Sequence, residues 1–595
     1  MKRKTKIVCT LGPAVSEQSV LTRLLAAGMN VARFNFSHGN HDFHRAMHAK
    51  LLAASAETGI PIATLLDTKG PEIRTGSLLN EQPISLQNGD TVVLTTDEID
   101  GTNERFSISY KRLPSEIRPQ NHILIADGVI DLEVTRVEQN EIFCVVRNGG
   151  IFGARKNVNV IGVRTSLPAV TEQDKADLCF AAEYAFDFIA ASFVRKPSDV
   201  KEIREVLEAN IPAGRSFPLI IAKIEDQEGL DNVDEIIRVS DGVMVARGDL
   251  GVQVPSYRVP IIQKEIIRKC NRAKKLVITA TQMLDSMIRN SQPTRAEVAD
   301  VANAMLDGTD AVMLSGETAS GAYPIAAVQM MSQIAVETEK SSFSHVSDEI
   351  REKQISTMAD TISKTAVLTA ADIGADAILA PTLHGNTPKL LSKYRPEQPI
   401  VAVTPFDYVQ RRLLLCYGVY PIVSPQVKNS DEMIAHAIDE AVVKQLLHPF
   451  DKVVITAGVP VNSPIMLNTI RVQILADVVG KGLRGYGETV CGQVVTAENA
   501  AEAMKKIAGV SNPILVARYM DESYFSVLPL VSGYVLEEFS SVSIEQIHAH
   551  NPDVVAIAGA RHITSALTDG QIVTLDGRER LILLGKGCAG EDNDN

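Results

Sequence analysis

The sequence predicts an α/β protein: a (β/α)8 barrel of the TIM type with an inserted all-β lid domain, then a C-terminal α/β domain and an additional C-terminal α/β domain. Three observations predict it. Eight short apolar runs alternate with helical patterns, a stretch between the third and fourth runs changes to short alternating strands, and βα alternation resumes twice after the eighth run. The eight runs are 6–10, 30–34, 62–67, 187–191, 219–225, 242–246, 276–281 and 310–314. Apolar runs of this length suit strands covered on both faces, and eight is the strand count of a closed barrel, whose reactive groups lie at the carboxyl ends. The expected boundaries are 1–70 with 166–345 for the barrel, 71–165 for the lid, 346–476 for the next α/β domain and 486–590 for the last.

Composition narrows the function classes. A chain of 595 residues has room for three or four domains, and 45% apolar residues with a mean hydropathy of +0.04 describe a soluble globular protein. A formal charge of −13 argues against general binding to nucleic acid or an anionic membrane. Seven cysteines without CxxC spacing suggest reduced thiols and a cytoplasmic setting, and MKRKTKIVCT passes into a strand without a signal-peptide core. No apolar run approaches a membrane span.

The strand exits carry the chemistry. The fifth run ends in Lys223, Ile224 and Glu225, so lysine and glutamate share one face of the pleat; the sixth ends in Arg247, Gly248 and Asp249. Glu225 and Asp249 could share a hard divalent cation such as Mg²⁺, and Gly248 with Asp249 could open a helix and offer N–H groups to an anion. The second run exits as ARFNFSHG and the third as LLDTKGPEIRTG. There Arg33 is a fork-shaped phosphate ligand, Arg74 is another fixed cation, and Asn35, Ser37, Asp67 and the Thr68 carbonyl offer mostly neutral oxygens that suit a monovalent cation. Phe193 with Arg195, Thr281, and Ser315 with Glu317 leave the remaining strands. Taken singly, Asn35 and Ser37 fit turn residues, His38 a capping histidine and the charges a solvated loop. So many polar exits on one barrel face are hard to explain by packing.

The motifs NVARFNFSHG, LLDTKGPEIRTG, FIAASFVRKPSDV, IAKIEDQEGLDN, MVARGDLGVQVP, ATQMLDSMI, PTRAEVADVANA and AVMLSGETASGAYP, in that order, resemble the pyruvate kinase family across residues 1 to about 475. The resemblance implies transfer of the phosphoryl group of phosphoenolpyruvate to ADP, giving pyruvate and ATP. It implies that Glu225 and Asp249 hold Mg²⁺, that Lys223 stabilises the phosphoryl group in flight and that Arg33 grips it. It further implies that the N–H groups of Gly248 and Asp249 and the Thr281 hydroxyl receive the substrate carboxylate, and that Asn35, Ser37, Asp67 and Thr68 form a K⁺ site. Arg74 would face the nucleotide phosphates, with His38, Lys196 and Asn35 as further nucleotide contacts. A proton relay near Thr281 would include Ser315 or Glu317. Glu72 stands where K⁺-dependent members carry glutamate, which implies activation by K⁺. The rivals are a lyase or aldolase acting on pyruvate-like enolates without a nucleotide, and a non-catalytic regulatory paralogue.

Strands expected at 377–380, 400–404, 419–423 and 452–456 would form the family's regulatory domain, and a homotetramer is implied with it. Within PTLHGNTPKLL, Thr382, Gly385, Asn386 and Thr387 could form an anion nest for a phosphorylated small-molecule effector, or a Thr-capped helix start. VVGKGLRGYG, 478–487, reads as a linker. Beyond it the chain resembles the phosphohistidine domain of phosphoenolpyruvate-utilising enzymes, with Val542, Ser543 and Ile544 at the Thr-Ser-His marker. Ile544 cannot carry a phosphoryl group, and His548 and His550 read as surface or packing residues, so no chemistry is expected there. The closing GEDNDN reads as a solvated tail.

Overall fold

The computed structural model describes residues 3–341, 357–427, 429–459, 467–542 and 544–587. The chain divides into two compact units, one comprising 1–373, 378–440 and 455–471 and the other 374–377, 441–454 and 472–595.

Strands β1 (Lys6–Thr10), β2 (Val31–Asn35), β3 (Ala63–Asp67), β4 (Phe188–Ala191), β5 (Leu219–Ile224), β6 (Gly242–Ala246), β7 (Leu276–Ala280) and β8 (Ala311–Leu314) close into a barrel in chain order. Every pairing is parallel, and β8 returns to β1 in the register Lys6 with Ala311 through Cys9 with Leu314. Most strand residues are buried on both faces, so each reads as one apolar run rather than an alternation. The helices wrap this cylinder with a single apolar stripe. In Val259–Ala273, Val259, Ile262, Ile266, Ile267 and Cys270 are buried, three to four residues apart or adjacent across the stripe. Asn40 caps the helix His41–Thr58 by accepting the Phe43 N–H, and Gly59 ends it at φ +66°.

The insertion folds as a seven-stranded sheet with its own apolar core. Its long strands Ile130–Glu138 and Glu141–Asn148 alternate buried and part-exposed residues over most of their length, the pattern of a sheet with one covered face. Arg195, after β4, ties this insertion to the barrel by donating to the carbonyls of Thr165 at 3.1 Å and Leu167 at 2.7 Å.

After the barrel, β9 (Ala377–Pro381), β10 (Ile400–Thr404) and β11 (Val419–Val423) run parallel. In the second unit, Thr489–Thr496, Pro513–Ala517, Gly533–Leu536 and Val555–Ala558 form the parallel centre of an eight-stranded sheet, with apolar clusters on both sides. The expected linker is not a linker: Val478–Lys481 and Arg484–Tyr486 are the two outermost strands of this sheet. Its glycines answer to crowding rather than to flexibility. A Cβ on Gly485 would collide with the Gly577 carbonyl, and one on Gly577 with the Tyr486 carbonyl.

Candidate active site

β2 and β3 end side by side, with Asn35 in register with Asp67. Asp67 is 1% exposed and organises the floor of the barrel mouth. Arg33 donates from Nε to Asp67 Oδ2 at 2.6 Å and from Nη1 to Thr10 Oγ1 at 2.9 Å. Lys223 donates from Nζ to Asp67 Oδ1 at 3.1 Å and to Ser192 Oγ at 2.7 Å, and lies 2.9 Å from Glu225 Oε1. Two cations thus share one carboxylate, with Glu225 beside them.

Burial opposes charge at each of these groups, and the partners decide the outcome. Burial works against ionised Asp67, yet Arg33 and Lys223 together hold its carboxyl below the usual range. Burial alone would lower Lys223; Asp67 and Glu225 outweigh it and keep the ammonium above its ordinary value. Burial pushes Glu225 up to about 7, the Lys223 ammonium opposes that shift, and the Asp249 charge adds to it. The Phe193 N–H fixes the other Glu225 oxygen, Oε2, at 2.6 Å from a backbone with φ +53°, outside the region most residues prefer.

Asp249 lies in the first turn of Arg247–Gln253, straight after β6. Among the described residues no three His, Cys, Asp or Glu side chains converge as a metal cage. A divalent ion on Glu225 and Asp249 would therefore draw its remaining ligands from water and substrate, a donor set that fits Mg²⁺. What favours a cation here is the buried Glu225 carboxylate, whose balancing ammonium, Lys223, is shared with Asp67.

Thr281, with φ +67°, follows β7, and its Oγ1 accepts the Gly248 N–H at 2.8 Å. Arg247 holds this turn by donating to the Thr281 carbonyl at 2.8 Å and the Ala280 carbonyl at 3.3 Å, while pairing with Asp300 at 2.8 Å. After β8, Glu317 accepts the N–H groups of Leu284 and Ser315, and the Ser315 hydroxyl is buried without a hydrogen-bond partner among the described residues.

The expected site residues do not all converge. Arg33, Asp67, Lys223 and Glu225 form one buried network, and Gly248 meets Thr281 next to it in the chain of exits. Asn35 Oδ1 accepts the Ser37 N–H at 3.1 Å, and the Thr68 carbonyl accepts Ser192 Oγ at 2.6 Å. Arg74 donates from Nε and Nη2 to Glu72 Oε2 at 2.8 and 2.6 Å. His38 and Lys196 are exposed and stand outside the buried network. After β9 the Gly385 N–H donates to Thr382 Oγ1 at 3.0 Å; Gly385, in the left-handed region at φ +80°, starts the short helix Asn386–Ser392, and no side chain among the described residues caps it. Ser543 and the side chains of Ile544 and His548 lie outside what the structure describes, while His550 stacks on Phe525 at 4.2 Å and packs as expected.

Two residues of the network, Thr10 and Ser192, escaped the sequence reading, and Arg247 was read as a strand-exit charge without a role. Ser192 directly follows β4, so the strand-exit rule that selected Phe193 and Arg195 would have found it. Thr10 and Arg247 also sit at strand ends, but their roles depend on partners distant in sequence. A cavity of about 170 Å³ borders the mouth between barrel and insertion, with Glu72, Phe193, Arg195 and Asp249 among its lining.

Comparison with known proteins decides the family. Residues 2–328 match the model for the barrel domain of pyruvate kinase, and 360–473 that for its alpha/beta domain. The chain belongs to the pyruvate kinase family. Residues 509–580 match the mobile domain of PEP-utilising enzymes. The pyruvate kinase of Geobacillus stearothermophilus is 46% identical over 97% of this chain and 98% of its own, and that of Sporosarcina psychrophila 44% over 98% and 99%. A pyruvate kinase structure from Cryptosporidium parvum matches with a TM-score of 0.75 and 40% identity, covering 80% of this chain and 96% of that one. Among the described residues no helix is long and apolar enough to cross a membrane.

Proposed function

We propose that this chain transfers the phosphoryl group of phosphoenolpyruvate to ADP, giving pyruvate and ATP, at the carboxyl-end mouth of its barrel. The observation that carries the reading is the pair of buried cations, Arg33 and Lys223, braced on Asp67 beside Glu225. Phosphoryl transfer needs positioning and charge neutralisation more than covalent chemistry, and cations fixed before substrate arrives lose no energy to reorganisation.

Arg33 uses Nε and Nη1 internally, and its Nη2 has no partner among the described residues, which leaves a donor for a phosphate oxygen. Lys223 Nζ donates to Asp67 and Ser192 and is ion-paired with Glu225, so the ammonium would turn to a transferring phosphoryl oxygen by loosening one of these contacts. Glu225 is the acceptor with another use, since Glu225 and Asp249 would hold Mg²⁺. Held there, the ion would supply positive charge to oppose the negative charge of the substrate oxygens. The substrate carboxylate would take the Gly248 and Asp249 N–H groups, the first of which now goes to Thr281 Oγ1. Ser315, with its unpartnered buried hydroxyl, suits a proton relay to the enolate carbon near Thr281.

Asn35, Ser37, Asp67 and the Thr68 carbonyl are proposed as the K⁺ site, with Glu72 setting that dependence while it braces Arg74 for the nucleotide phosphates. His38 and Lys196, exposed at the rim, are proposed nucleotide contacts. The insertion would act as the lid, the domain containing β9–β11 would be regulatory through Thr382, Gly385, Asn386 and Thr387, and the working form would be a cytoplasmic homotetramer.

The test is product stoichiometry in the full chain supplied with phosphoenolpyruvate, ADP and Mg²⁺. Equimolar pyruvate and ATP are expected. Pyruvate formed at the same rate without ADP would instead point to a lyase or phosphatase.

A further inference from the structure

A second group of cations gathers at the amino ends of the barrel strands. There a small cavity is lined by Lys274, Lys275, Lys389 and Lys393, together with Asp310 and Cys416. Lys274 and Lys275 directly follow the helix Val259–Ala273 that precedes β7, Lys389 lies within the helix Asn386–Ser392 of the following domain, and Lys393 is that helix's C-cap.

Among the described residues, the carboxylates nearby leave the Lys389 ammonium without an ion pair. Asp360 serves two lysines at once, Lys274 at 2.5 Å and Lys393 at 3.9 Å. Asp310 is already committed to Arg395 at 3.1 Å and to the N–H groups of Val277 and Tyr417. Lys275 donates to a neutral acceptor, the Ser240 carbonyl, at 2.6 Å. Asp241, the nearest other carboxylate acting on Lys275, is itself paired with Arg204. The Lys389 ammonium has no hydrogen-bond or ion-pair partner among the described residues. Burial lowers Lys275 below its ordinary value, and the neighbouring Lys389 charge acts in the same direction. Half-buried like charges without a counter-charge are unfavourable, and a bound anion would relieve them.

We propose that this cavity binds a phosphate dianion, at a site separate from the barrel mouth and from the Thr382–Thr387 turn. The cavity of about 20 Å³ has room for about one water, so only the leading oxygens of an anion enter it and the rest stays at its open side. The ligand is inorganic phosphate or the phosphoryl end of a small phosphomonoester whose remainder stays outside. Lysine ammonium groups serve such an anion as mobile point charges, and Lys275 and Lys389 close on it from two domains. The lining residues Leu276 and Asp310 lead directly into β7 and β8, whose opposite ends deliver Thr281 and Ser315.

Calorimetric titration of the metal- and substrate-free full chain with inorganic phosphate tests this without using turnover. The wild type should bind one more phosphate per chain than Lys389→Gln, or bind that class at least tenfold more tightly, while any phosphate held by Arg33 is the same in both. Displacement by a nucleoside monophosphate would identify a phosphomonoester as a source; no displacement would leave free phosphate. Should Lys389→Gln fail to fold, a selenate-soaked crystal of the wild type should show an anomalous peak between Lys275 and Lys389. Matching isotherms for wild type and variant, or a selenate-soaked crystal without that peak, overturn the site.

Discussion

The barrel mouth and the C-terminal sheet are both built from alternating strands and helices, yet they bury different atoms. At the mouth Arg33, Asp67, Lys223 and Glu225 are buried, each in contact with another. In residues 472–587 Thr574 is the only buried polar residue, tyrosines aside, among those described. Burying an unpaired charge is strongly unfavourable, so a charged network persists only where every member is satisfied or where function requires it. Residues 509–580 match the mobile domain of PEP-utilising enzymes, and among the described residues the interior of this sheet holds no charged side chain, while the mouth holds its cations ready for an anion.

Lys223→Met should lower kcat about a thousandfold, because it removes a charge needed most in the transition state. Mn²⁺ binding followed by electron paramagnetic resonance should survive in that variant, and near-wild-type turnover would erase the contrast between the two regions.

Arg247→Lys should cost about tenfold to a hundredfold in kcat by releasing the Thr281 turn. A double-mutant cycle with Thr281→Ala separates positioning from general destabilisation: the Arg247 effect should largely vanish when Thr281 is absent. Additive losses would make Arg247 merely structural.

Asp249→Asn should weaken divalent-ion affinity by about tenfold, read by the same resonance titration. An unchanged affinity would remove Asp249 from the ligand set.

The smallest effect on turnover belongs to Gly485→Ala. Its Cβ collides with the Gly577 carbonyl and should destabilise the C-terminal sheet by about 1–3 kcal/mol. Earlier proteolysis of that region with unchanged turnover at 25 °C is expected, and a parallel loss of turnover would show the sheet to be part of the catalytic machinery.

The barrel was legible because its strands are apolar runs of even length; β1 and β6 match the expected limits, and the other six differ by a residue at one or both ends. Arg33, Lys223 and Glu225 were legible because they stand at strand ends, where packing does not call for charge. The brace on Asp67 was less so: Asp67 was expected to be an ion ligand, and its grip on both cations joins residues 34 and 156 positions apart. The glycines of 478–487 misled for a related reason. A glycine needed for flexibility and one needed for close approach look alike until the opposing carbonyl is in place.

The most direct test of the central claim is pyruvate formation from phosphoenolpyruvate and ADP by the full chain with Mg²⁺, as K⁺ is raised from zero. Turnover that rises with K⁺ and saturates is the expected result, and Glu72→Lys should abolish the rise. Folded protein with no turnover in either salt, with sugar-phosphate and nucleotide effectors present, would contradict the account and leave a metabolite-binding paralogue in its place.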